Sequence, residues 1–413
     1  MVSTFYPPYN FGGDGMHIYR LSNELARRGH TVDVFYCEDA FLLMNGKPPT
    51  GEFPNHQNVN VFPLKSGKGM LSPLATQQTG VPFFKRKLKT ALENNKYDVI
   101  HYNNMSLIGI TALSYGSAIK LYTTHEHWLV CPMHVLWKFN REVCQKKSCT
   151  MCQLKGKRPP QLWRHTGLMS RMLRHVDCFL SPSRFTMEKH LDMGLGNIPI
   201  RHVPYFLPSR PENNGIAETK TDGRPYFLFV GRLEYIKGVH NLIRAFRRQP
   251  QYDLLVAGDG DYRETLEAQA KDCTNIKFLG RLDQDMLAEI YRLAVAVIVP
   301  SICYETFGII IIEAFSHKTP VIVNDLGALP EVVEDSGGGF IYRTEDELIS
   351  SMQKIASDAG LRKELGEKGF DAFMKYWNAE AHLEKYLDLI RSIQAQREKR
   401  TGRLSSSQTI SVA

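Results

Sequence analysis

Short apolar runs alternate with amphipathic stretches along most of the chain. Residues 226–230 and 294–299 are two such apolar runs, of a length typical of strands that are buried on both faces. Residues 16–28 instead have apolar positions at helical spacing, and Gly29 follows them as a helix stop. Alternation of this kind indicates parallel sheets covered by helices on both faces. The pattern therefore predicts an α/β protein.

The β/α alternation occurs twice, which predicts two domains within the 413 residues. We assign residues 1–205 to the first domain and residues 206–378 to the second. A linker rich in Pro, Gly and polar residues covers positions 204–225. A helix is predicted at residues 379–393. Residues 394–413 are basic and then rich in Ser, Thr and Gln, so we expect them to be disordered.

Composition is that of a soluble globular protein, with 43% hydrophobic and 23% charged residues. No apolar run approaches the roughly 20 residues needed to cross a bilayer. The first residues also lack the basic and then apolar pattern of a signal peptide. We therefore expect a cytoplasmic protein.

The net charge of +8 is unevenly distributed. Residues 1–205 contain 25 Lys and Arg against 13 Asp and Glu, whereas the remaining residues contain 26 against 30. This asymmetry indicates an anionic surface or substrate for the first domain. Residues 81–92 combine apolar positions at Phe84, Leu88 and Leu92 with a basic face. They predict either a peripheral helix at the inner face of an anionic membrane or an ordinary core helix. A nucleic-acid partner is disfavoured, because no known nucleic-acid-binding signature accompanies the charge.

The most informative stretch is residues 305–313, in which two carboxylates lie eight positions apart after a predicted strand. A helix that opens after Gly308 presents unpaired backbone N–H groups, and these suit a phosphate. Glu305 would then lie in the loop and Glu313 about one and a half turns inside the helix. One carboxylate can reach beyond the phosphates while the other reaches back along a nucleotide. This is the outline of a nucleotide-sugar site.

A second loop places two cations at the same edge of the predicted sheet. Arg232 and Lys237 follow the strand at residues 226–230 and precede a helical pattern. Ligands bind α/β domains at the carboxyl ends of parallel strands. Preorganised cations there stabilise the charge that grows on a leaving nucleotide diphosphate.

These two motifs resemble the E-x7-E element and the Gly-Arg…Lys-Gly loop of the retaining, group 1 glycosyltransferases of family 4. The resemblance implies the GT-B fold, in which two Rossmann-like β/α/β domains face each other across a cleft. It also implies that the last helix, residues 379–393, crosses back to the first domain. The donor substrate would be a UDP- or GDP-linked sugar, and catalysis would need no cofactor.

The resemblance assigns a role to each motif residue. Glu305 would contact hydroxyls of the transferred sugar, Glu313 would hold the ribose, and Arg232 with Lys237 would hold the diphosphate. His125, at the end of a predicted strand, would face the donor sugar; a metal site or a structural role are the alternatives. The remaining predicted donor-binding residues are Gly12, Gly13, Arg281, Phe307, Gly308 and Ile309.

The loop at Gly12 and Gly13 would approach the diphosphate from the opposite domain. It lacks the third glycine of the dinucleotide fingerprint, which disfavours a nicotinamide-dependent enzyme. The chain begins inside the first strand of the family's fold. We therefore expect either a short start or a truncated sequence.

We thus expect a retaining hexosyltransferase that acts on a glycan or lipid-linked acceptor in surface polysaccharide or glycoconjugate synthesis. The alternatives are a phosphorylase or a sugar-phosphate synthase on the same fold. A nucleotide-sugar binding protein that has lost catalysis is the alternative outside enzymes.

Half of the eight cysteines lie within residues 131–152, at Cys131, Cys144, Cys149 and Cys152. Cytoplasmic proteins rarely keep disulfides, so four thiols at this spacing favour a structural zinc site in an insertion. Free thiols, an iron–sulfur cluster and a disulfide are the alternatives. Such a site would be structural and not part of the chemistry.

Overall fold

The structure, a computed structural model, describes residues 1–49, 51–208 and 223–401, and these form two domains around parallel sheets. The first sheet has seven strands in the order β3-β2-β1-β4-β5-β8-β9. A separate hairpin, β6–β7, lies outside it. The nine strands of this domain are β1 Val2–Ser3, β2 Val32–Cys37, β3 Val59–Leu64, β4 Val99–Tyr102, β5 Ile119–Thr123, β6 Trp137–Lys138, β7 Glu142–Val143, β8 Cys178–Ser181 and β9 Ile200–His202.

The second sheet has six parallel strands in the order β12-β11-β10-β13-β14-β15. Strands β10 and β11 pair over five residues, from Tyr226 opposite Asp253 to Val230 opposite Ala257. The strands are β10 Tyr226–Val230, β11 Asp253–Ala257, β12 Ile276–Gly280, β13 Val297–Val299, β14 Val321–Asn324 and β15 Gly339–Tyr342.

Helices cover both faces of each sheet, as the alternating pattern predicts. Those of the first domain are α1 Gly13–Arg27, α2 Glu38–Asn45, α3 Leu71–Thr79, α4 Lys85–Asn94, α5 Cys149–Lys155, α6 Leu168–Leu173 and α7 Arg184–His190. Those that follow are α8 Val239–Arg247, α9 Arg263–Gln269, α10 Gln284–Leu293, α11 Ile309–Ser316, α12 Leu329–Ser336, α13 Glu345–Ser357, α14 Ala359–Ala372 and α15 Ala379–Thr401. Among the described helices, none is long and apolar enough to cross a membrane.

Each sheet separates two hydrophobic cores, because successive side chains of a strand point to opposite faces. In β10, Phe227 and Phe229 enter one core of the second domain, whereas Tyr226 and Leu228 enter the other. All four are buried, and burial of one such side chain contributes roughly 1.5–3 kcal/mol. The near-continuous apolar runs in the sequence are therefore explained by burial on both faces.

Strand order creates a crevice in each domain. In the first sheet the order reverses between β1 and β4, and in the second between β10 and β13. Loops that leave the carboxyl ends of such neighbouring strands diverge to opposite faces and leave room for a ligand. The two Rossmann-like domains confirm the predicted fold class.

Helix α15 packs on the first domain. Leu383 and Tyr386 are buried in a core that also contains Leu121 of β5. The predicted end of this helix at residue 393 is wrong, because the helix continues to Thr401. Arg397 explains the extension, since its guanidinium bonds to the Asp177 carboxylate at 2.6 Å. Residues 394–401 are thus helical, and the rest of the predicted disordered tail, residues 402–413, lies outside the described residues.

The packing of helix α4 decides between the two interpretations of residues 81–92. Its apolar positions Leu88 and Leu92 are buried in the first domain's core, together with Phe84 just before the helix. These side chains cannot also enter a lipid surface. Of the two interpretations, the packing therefore supports an ordinary core helix, whose basic face is exposed.

Candidate active site

Two loops meet at the crevice of the second domain. One follows β10 and contains Arg232 and Lys237, and the other follows β13 and contains Glu305. Gly238 allows them to touch: it has φ +76°, and a Cβ atom there would lie 2.0 Å from the carbonyl oxygen of Pro300. No residue with a side chain fits this position without moving the loop.

Lys237 and Glu305 form a direct ion pair across these loops. Lys237 Nζ lies 2.6 Å from Glu305 Oε1, and the Ser301 hydroxyl donates to the same oxygen at 2.7 Å. Burial alone would raise the pKa of Glu305, but the charge and hydrogen bond of Lys237, with Ser301, hold it below its usual value. Burial lowers the pKa of Lys237, but Glu305, together with Cys303, outweighs this effect and raises the pKa above its usual value. Both groups are therefore charged at neutral pH.

Gly308 starts helix α11 at the crevice. It has φ +94°, a backbone conformation that favours glycine, and a Cβ atom there would lie 2.8 Å from Leu329 Cδ2, so the Leu329 side chain would have to move. Among the described residues no side chain caps the first turn of α11. Its backbone N–H groups are thus able to bind an anion in the crevice. Phe307 is buried, and its ring belongs to a hydrophobic core of the second domain.

Glu313, the fifth residue of α11, is approached from both domains. The Tyr291 hydroxyl donates to Glu313 Oε2 at 3.1 Å. From helix α1 of the first domain, the Arg20 guanidinium lies 3.5 Å from Glu313 Oε1. Polar partners thus orient this carboxylate toward the region where the domains face each other.

The loop at Gly12 and Gly13 lies opposite α11, on the side that the family resemblance implies. A Cβ atom on Gly13 would be 3.1 Å from Ile309 Cδ1 at the start of α11. The close approach brings the start of α1 beside the start of α11. The predicted donor-binding residues Gly13 and Ile309 are therefore neighbours across the cleft.

His125 lies beside the loop that follows β13 and contains Glu305, which we call the donor loop. Its ring, however, belongs to a hydrogen-bond network of the first domain. Nδ1 is 2.6 Å from the Tyr205 hydroxyl, and Nε2 is 2.8 Å from Asn103 Oδ1. Burial lowers the pKa of His125 to about 4, against a smaller opposing effect of Asp14. The ring is neutral at pH 7. Its backbone oxygen accepts a hydrogen bond from Thr306 of the donor loop at 3.1 Å.

Arg232 and Arg281, two of the predicted donor-binding residues, are more exposed than Lys237. Arg232 is half exposed and pairs with Glu234 at 2.7 Å, which holds its guanidinium at the rim of the crevice. Arg281 is exposed directly after the end of β12. Neither contacts the Lys237–Glu305 pair directly among the described hydrogen bonds and ion pairs, although the charge of Arg232 also acts to lower the pKa of Glu305.

Several site residues were missed from the sequence. Ser301, Tyr291 and Arg20 support the two carboxylates, and Asn103 holds His125. Ser301 follows the end of β13 and Asn103 the end of β4, so their strand-end positions were available signals. Tyr291 and Arg20 lie on helices, and their contacts depend on how those helices pack.

The four cysteines of the insertion face one small cavity, of about 10 Å³, together with Met133 and Trp137. The thiols are not disulfide-bonded. In the part of the chain that the structure describes, no three His, Cys, Asp or Glu side chains form a group spaced to hold a metal ion. His125 and His127, which were the alternative candidates for a metal site, are likewise part of no such group among the described residues. The structure thus brings the four predicted ligands together but does not show a coordination sphere.

Fold and site together define a glycosyltransferase of the GT-B type. The comparisons with known proteins identify the family. The Glycosyltransferase Family 4 model matches residues 11–208, and the model of Glycosyl transferases group 1 matches residues 212–371. The chain belongs to the group 1, family 4 glycosyltransferases.

Several relatives and structural neighbours align over nearly the whole chain. An O-antigen chain mannosyltransferase C of Escherichia coli is 24% identical over 94% of this chain and 96% of its own length. The sucrose-phosphate synthase of Thermosynechococcus elongatus has a TM-score of 0.74 at 22% identity, covering 96% and 98% of the two chains. The Anabaena protein HepE in complex with UDP-glucose has a TM-score of 0.67 at 18% identity, covering 95% and 99%.

Proposed function

We propose that this chain is a retaining glycosyltransferase of the hexosyltransferase type. It transfers a sugar from a nucleotide-diphosphate sugar to a glycan or lipid-linked acceptor in surface polysaccharide or glycoconjugate synthesis. One observation carries the proposal: the Lys237–Glu305 ion pair lies in the crevice where α11 opens, eight residues before Glu313. The site thereby offers cations and helix N–H groups to the diphosphate of a nucleotide sugar. It offers one carboxylate to each end of the donor, Glu305 to the sugar and Glu313 to the ribose.

The diphosphate is bound by the cationic side of this arrangement. The Lys237 ammonium has three N–H donors, of which Glu305 takes one, so phosphate oxygens can accept the others. Arg232 at the rim and the first N–H groups of α11 add further donors. These groups stabilise the negative charge that develops on the nucleotide diphosphate as the bond to the sugar breaks.

The carboxylates position the two ends of the donor. Glu313 accepts hydrogen bonds from the ribose hydroxyls, in a position that Tyr291 already orients. Glu305 accepts hydrogen bonds from the hydroxyls of the transferred sugar. Its low pKa keeps it an acceptor throughout the reaction. His125 contributes a neutral ring in the wall of the sugar site.

Retention requires the acceptor to attack the sugar from the face that the nucleotide leaves. The acceptor hydroxyl then bonds to the anomeric carbon, the bond to the diphosphate breaks, and the departing phosphate oxygen takes the hydroxyl proton. No protein nucleophile is assigned. His125 is disfavoured as a general base, because both its nitrogens are hydrogen-bonded and its pKa is about 4.

A nucleotide-binding screen tests the donor site. Purified full chain is measured by thermal shift and calorimetry against UDP, GDP, ADP and their sugars, with Glu313→Ala as the test variant. Glu367→Ala, an exposed position on α14, is the matched control. We expect one nucleotide class to bind the native chain and the control, and to lose most of its affinity in Glu313→Ala. Equal affinity in all three proteins would remove Glu313 from the site.

The same screen separates the alternatives. Binding of orthophosphate without any nucleotide would support a phosphorylase. Transfer to a sugar phosphate, tested as one acceptor class, would support a sugar-phosphate synthase. Nucleotide-sugar binding without turnover on any acceptor would support a catalytically silent binding protein. The anomeric configuration of the product, read by NMR, decides between retention and inversion.

We also propose that the first domain, which would bind the acceptor, contacts an anionic membrane, and that the enzyme acts in the cytoplasm at the membrane's inner face. Of the 16 large hydrophobic side chains exposed among the described residues, 12 belong to the first domain. Five lie within residues 70–83, including Leu71 at 67% and Phe83 at 51% exposure. The basic face of α4, with exposed Lys85 and Arg86, follows directly. Apolar insertion beside Lys and Arg is the pattern of peripheral lipid binding.

Vesicle sedimentation tests this surface. We expect the full chain to bind vesicles that contain anionic lipid more strongly than neutral vesicles, and the variant Leu71→Ser/Phe83→Ser to lose this binding. The control variant Met286→Ser/Leu293→Ser changes two exposed apolar residues of the second domain and should bind normally. Equal binding by both variants would contradict the assignment.

A further inference from the structure

The cysteine-rich insertion has too small a core of its own to explain its fold. The hydrophobic cluster around it comprises five buried residues, of which only Cys131, Leu136 and Cys144 belong to the insertion. The other secondary structure is a hairpin of two-residue strands, β6–β7, and the short helix α5. A segment with so little buried apolar surface needs another source of order.

The backbone of the insertion supports the same conclusion. Six non-glycine residues among those described have positive φ, and five of them lie at residues 134–157. They are His134, Leu136, Phe139, Asn140 and Lys157. Such conformations persist only where surrounding contacts enforce them. Four of the five lie within residues 131–152 and Lys157 lies just beyond, so the contacts that enforce these conformations lie in and next to the insertion.

The four thiols are the groups that all parts of the insertion share. Cys131 comes from the segment before the hairpin, Cys144 follows β7, and Cys149 and Cys152 belong to α5. All four line one small cavity, which has room for about one water-sized sphere. The backbone N–H of Phe139 already donates to Cys152 Sγ at 3.3 Å. Backbone donors of this kind orient sulfur ligands around metals.

We propose that Cys131, Cys144, Cys149 and Cys152 bind one structural Zn²⁺ ion. Four thiolates and no other ligand are a set that zinc takes in tetrahedral structural sites. Because the described thiols are not yet spaced as a coordination sphere, binding must draw the sulfur atoms inward. Each thiol loses its proton to solvent as it becomes a ligand.

The site has a consequence for the proposed transfer reaction, and this step rests on that proposed function. The insertion's hydrophobic cluster packs against Tyr304, the residue immediately before Glu305. The Tyr304 ring also lies 5.0 Å from the Phe185 ring of the first domain. The zinc site thus supports a wall next to the sugar-binding carboxylate. Its loss should lower the transfer rate while leaving nucleotide affinity within about twofold, because Glu313 is not part of this wall.

Metal analysis of the full chain tests the site independently of activity. We expect about one zinc per chain in the native protein. We expect that zinc to be lost in Cys149→Ser and Cys152→Ser and kept in Cys273→Ser, which changes a half-buried cysteine of the second domain. Zinc retained in both test variants would overturn the assignment. Iron with a visible chromophore, or a thiol count short of eight under denaturing conditions, would replace zinc by a cluster or a disulfide.

A second measurement covers the case in which the variants fail to fold. Cobalt substituted into the native chain should give the charge-transfer absorption of a four-thiolate tetrahedral site, and a chain that binds no cobalt or zinc overturns the proposal. Nucleotide binding is measured on the same samples. A chain that binds zinc but no nucleotide would support the metal site and contradict the proposed function. A chain that binds nucleotide but no zinc would support the proposed function and contradict the metal site.

Discussion

The Lys237–Glu305 pair provides the sharpest test of the site, because its energy follows from its geometry. The two charged atoms lie 2.6 Å apart, and the side chains are only 22% and 19% exposed. Removing one partner of such a pair leaves an uncompensated charge in a poorly solvated place, which costs about 3–5 kcal/mol when the pair is fully buried. Because a fifth of each side chain remains exposed, we expect about 3 kcal/mol for Lys237→Met or Glu305→Gln.

Removing both charges should cost less than the sum of the two single changes. The double variant Lys237→Met/Glu305→Gln buries no unpaired charge, and the Ser301 hydroxyl can still donate to the amide oxygen that replaces the carboxylate. We therefore expect a coupling free energy of about 2–3 kcal/mol in the double-mutant cycle. Nucleotide-sugar turnover should be lost in all three variants.

A second ion pair in the same domain is the matched control. Lys368 and Glu364 are also 2.6 Å apart, but their side chains are 53% and 58% exposed on α14. Water screens this pair, so its coupling should be no more than about 0.5 kcal/mol. The difference between the two cycles measures the effect of burial at equal distance.

Urea unfolding at pH 7, followed by circular dichroism, gives the free energies for both cycles. Additivity within about 0.5 kcal/mol for Lys237 and Glu305 would refute the reasoning, since the pair would then be no more coupled than residues far apart. Equal coupling in the two cycles would show that burial is not the cause.

Three further predictions concern the glycine at the start of α11, the buried histidines and the contact between the domains. Gly308→Ala should destabilise the protein by about 1–3 kcal/mol and weaken nucleotide binding, because φ is +94° and Leu329 is close, whereas Gly360→Ala in α14 should be nearly neutral in urea unfolding. Burial lowers the pKa of His125, His190 and His382 from 6.5 to about 4. Below pH 6.5 these histidines therefore take up protons in the unfolded chain before they do so in the folded one. The free energy of unfolding should fall by roughly 3 kcal/mol per histidine as the pH falls toward 4. A flat unfolding free energy between pH 7 and 5 would contradict this. Arg20→Ala should change nucleotide affinity at least threefold by calorimetry, since Arg20 contacts Glu313, whereas Arg27→Ala on the exposed side of the same helix should not.

Much of the second domain could be predicted from local patterns. The apolar run at β10 and the glycine after β13's loop, Gly308, have strong local causes: burial on both faces, and a backbone conformation that favours glycine. Motif spacing then placed Glu305 before α11 and Glu313 within it, because helix geometry converts sequence separation directly into distance. Such features are readable without knowing which elements pack together.

Other parts could not be read locally. Residues 81–92 had the same amphipathic pattern whether their apolar face met lipid or a core, and only packing against the first sheet decided for the core. The sequence predicts too early an end for α15, because Arg397 is basic and polar and its partner Asp177 is more than 200 residues away along the chain. Contacts at such separations leave no periodic signal.

By itself, the sequence determined the α/β class and the family motifs. It also determined the positions, such as Gly308, at which a backbone conformation favours glycine. All of these features depend on residues that are near one another along the chain. Only the tertiary structure decided that Lys237 pairs with Glu305, that Arg20 reaches Glu313 from the other domain, and that both nitrogens of His125 are already hydrogen-bonded. The physical reason is that the charge state and orientation of a side chain depend on burial and on its partners. Both are set when distant segments pack together.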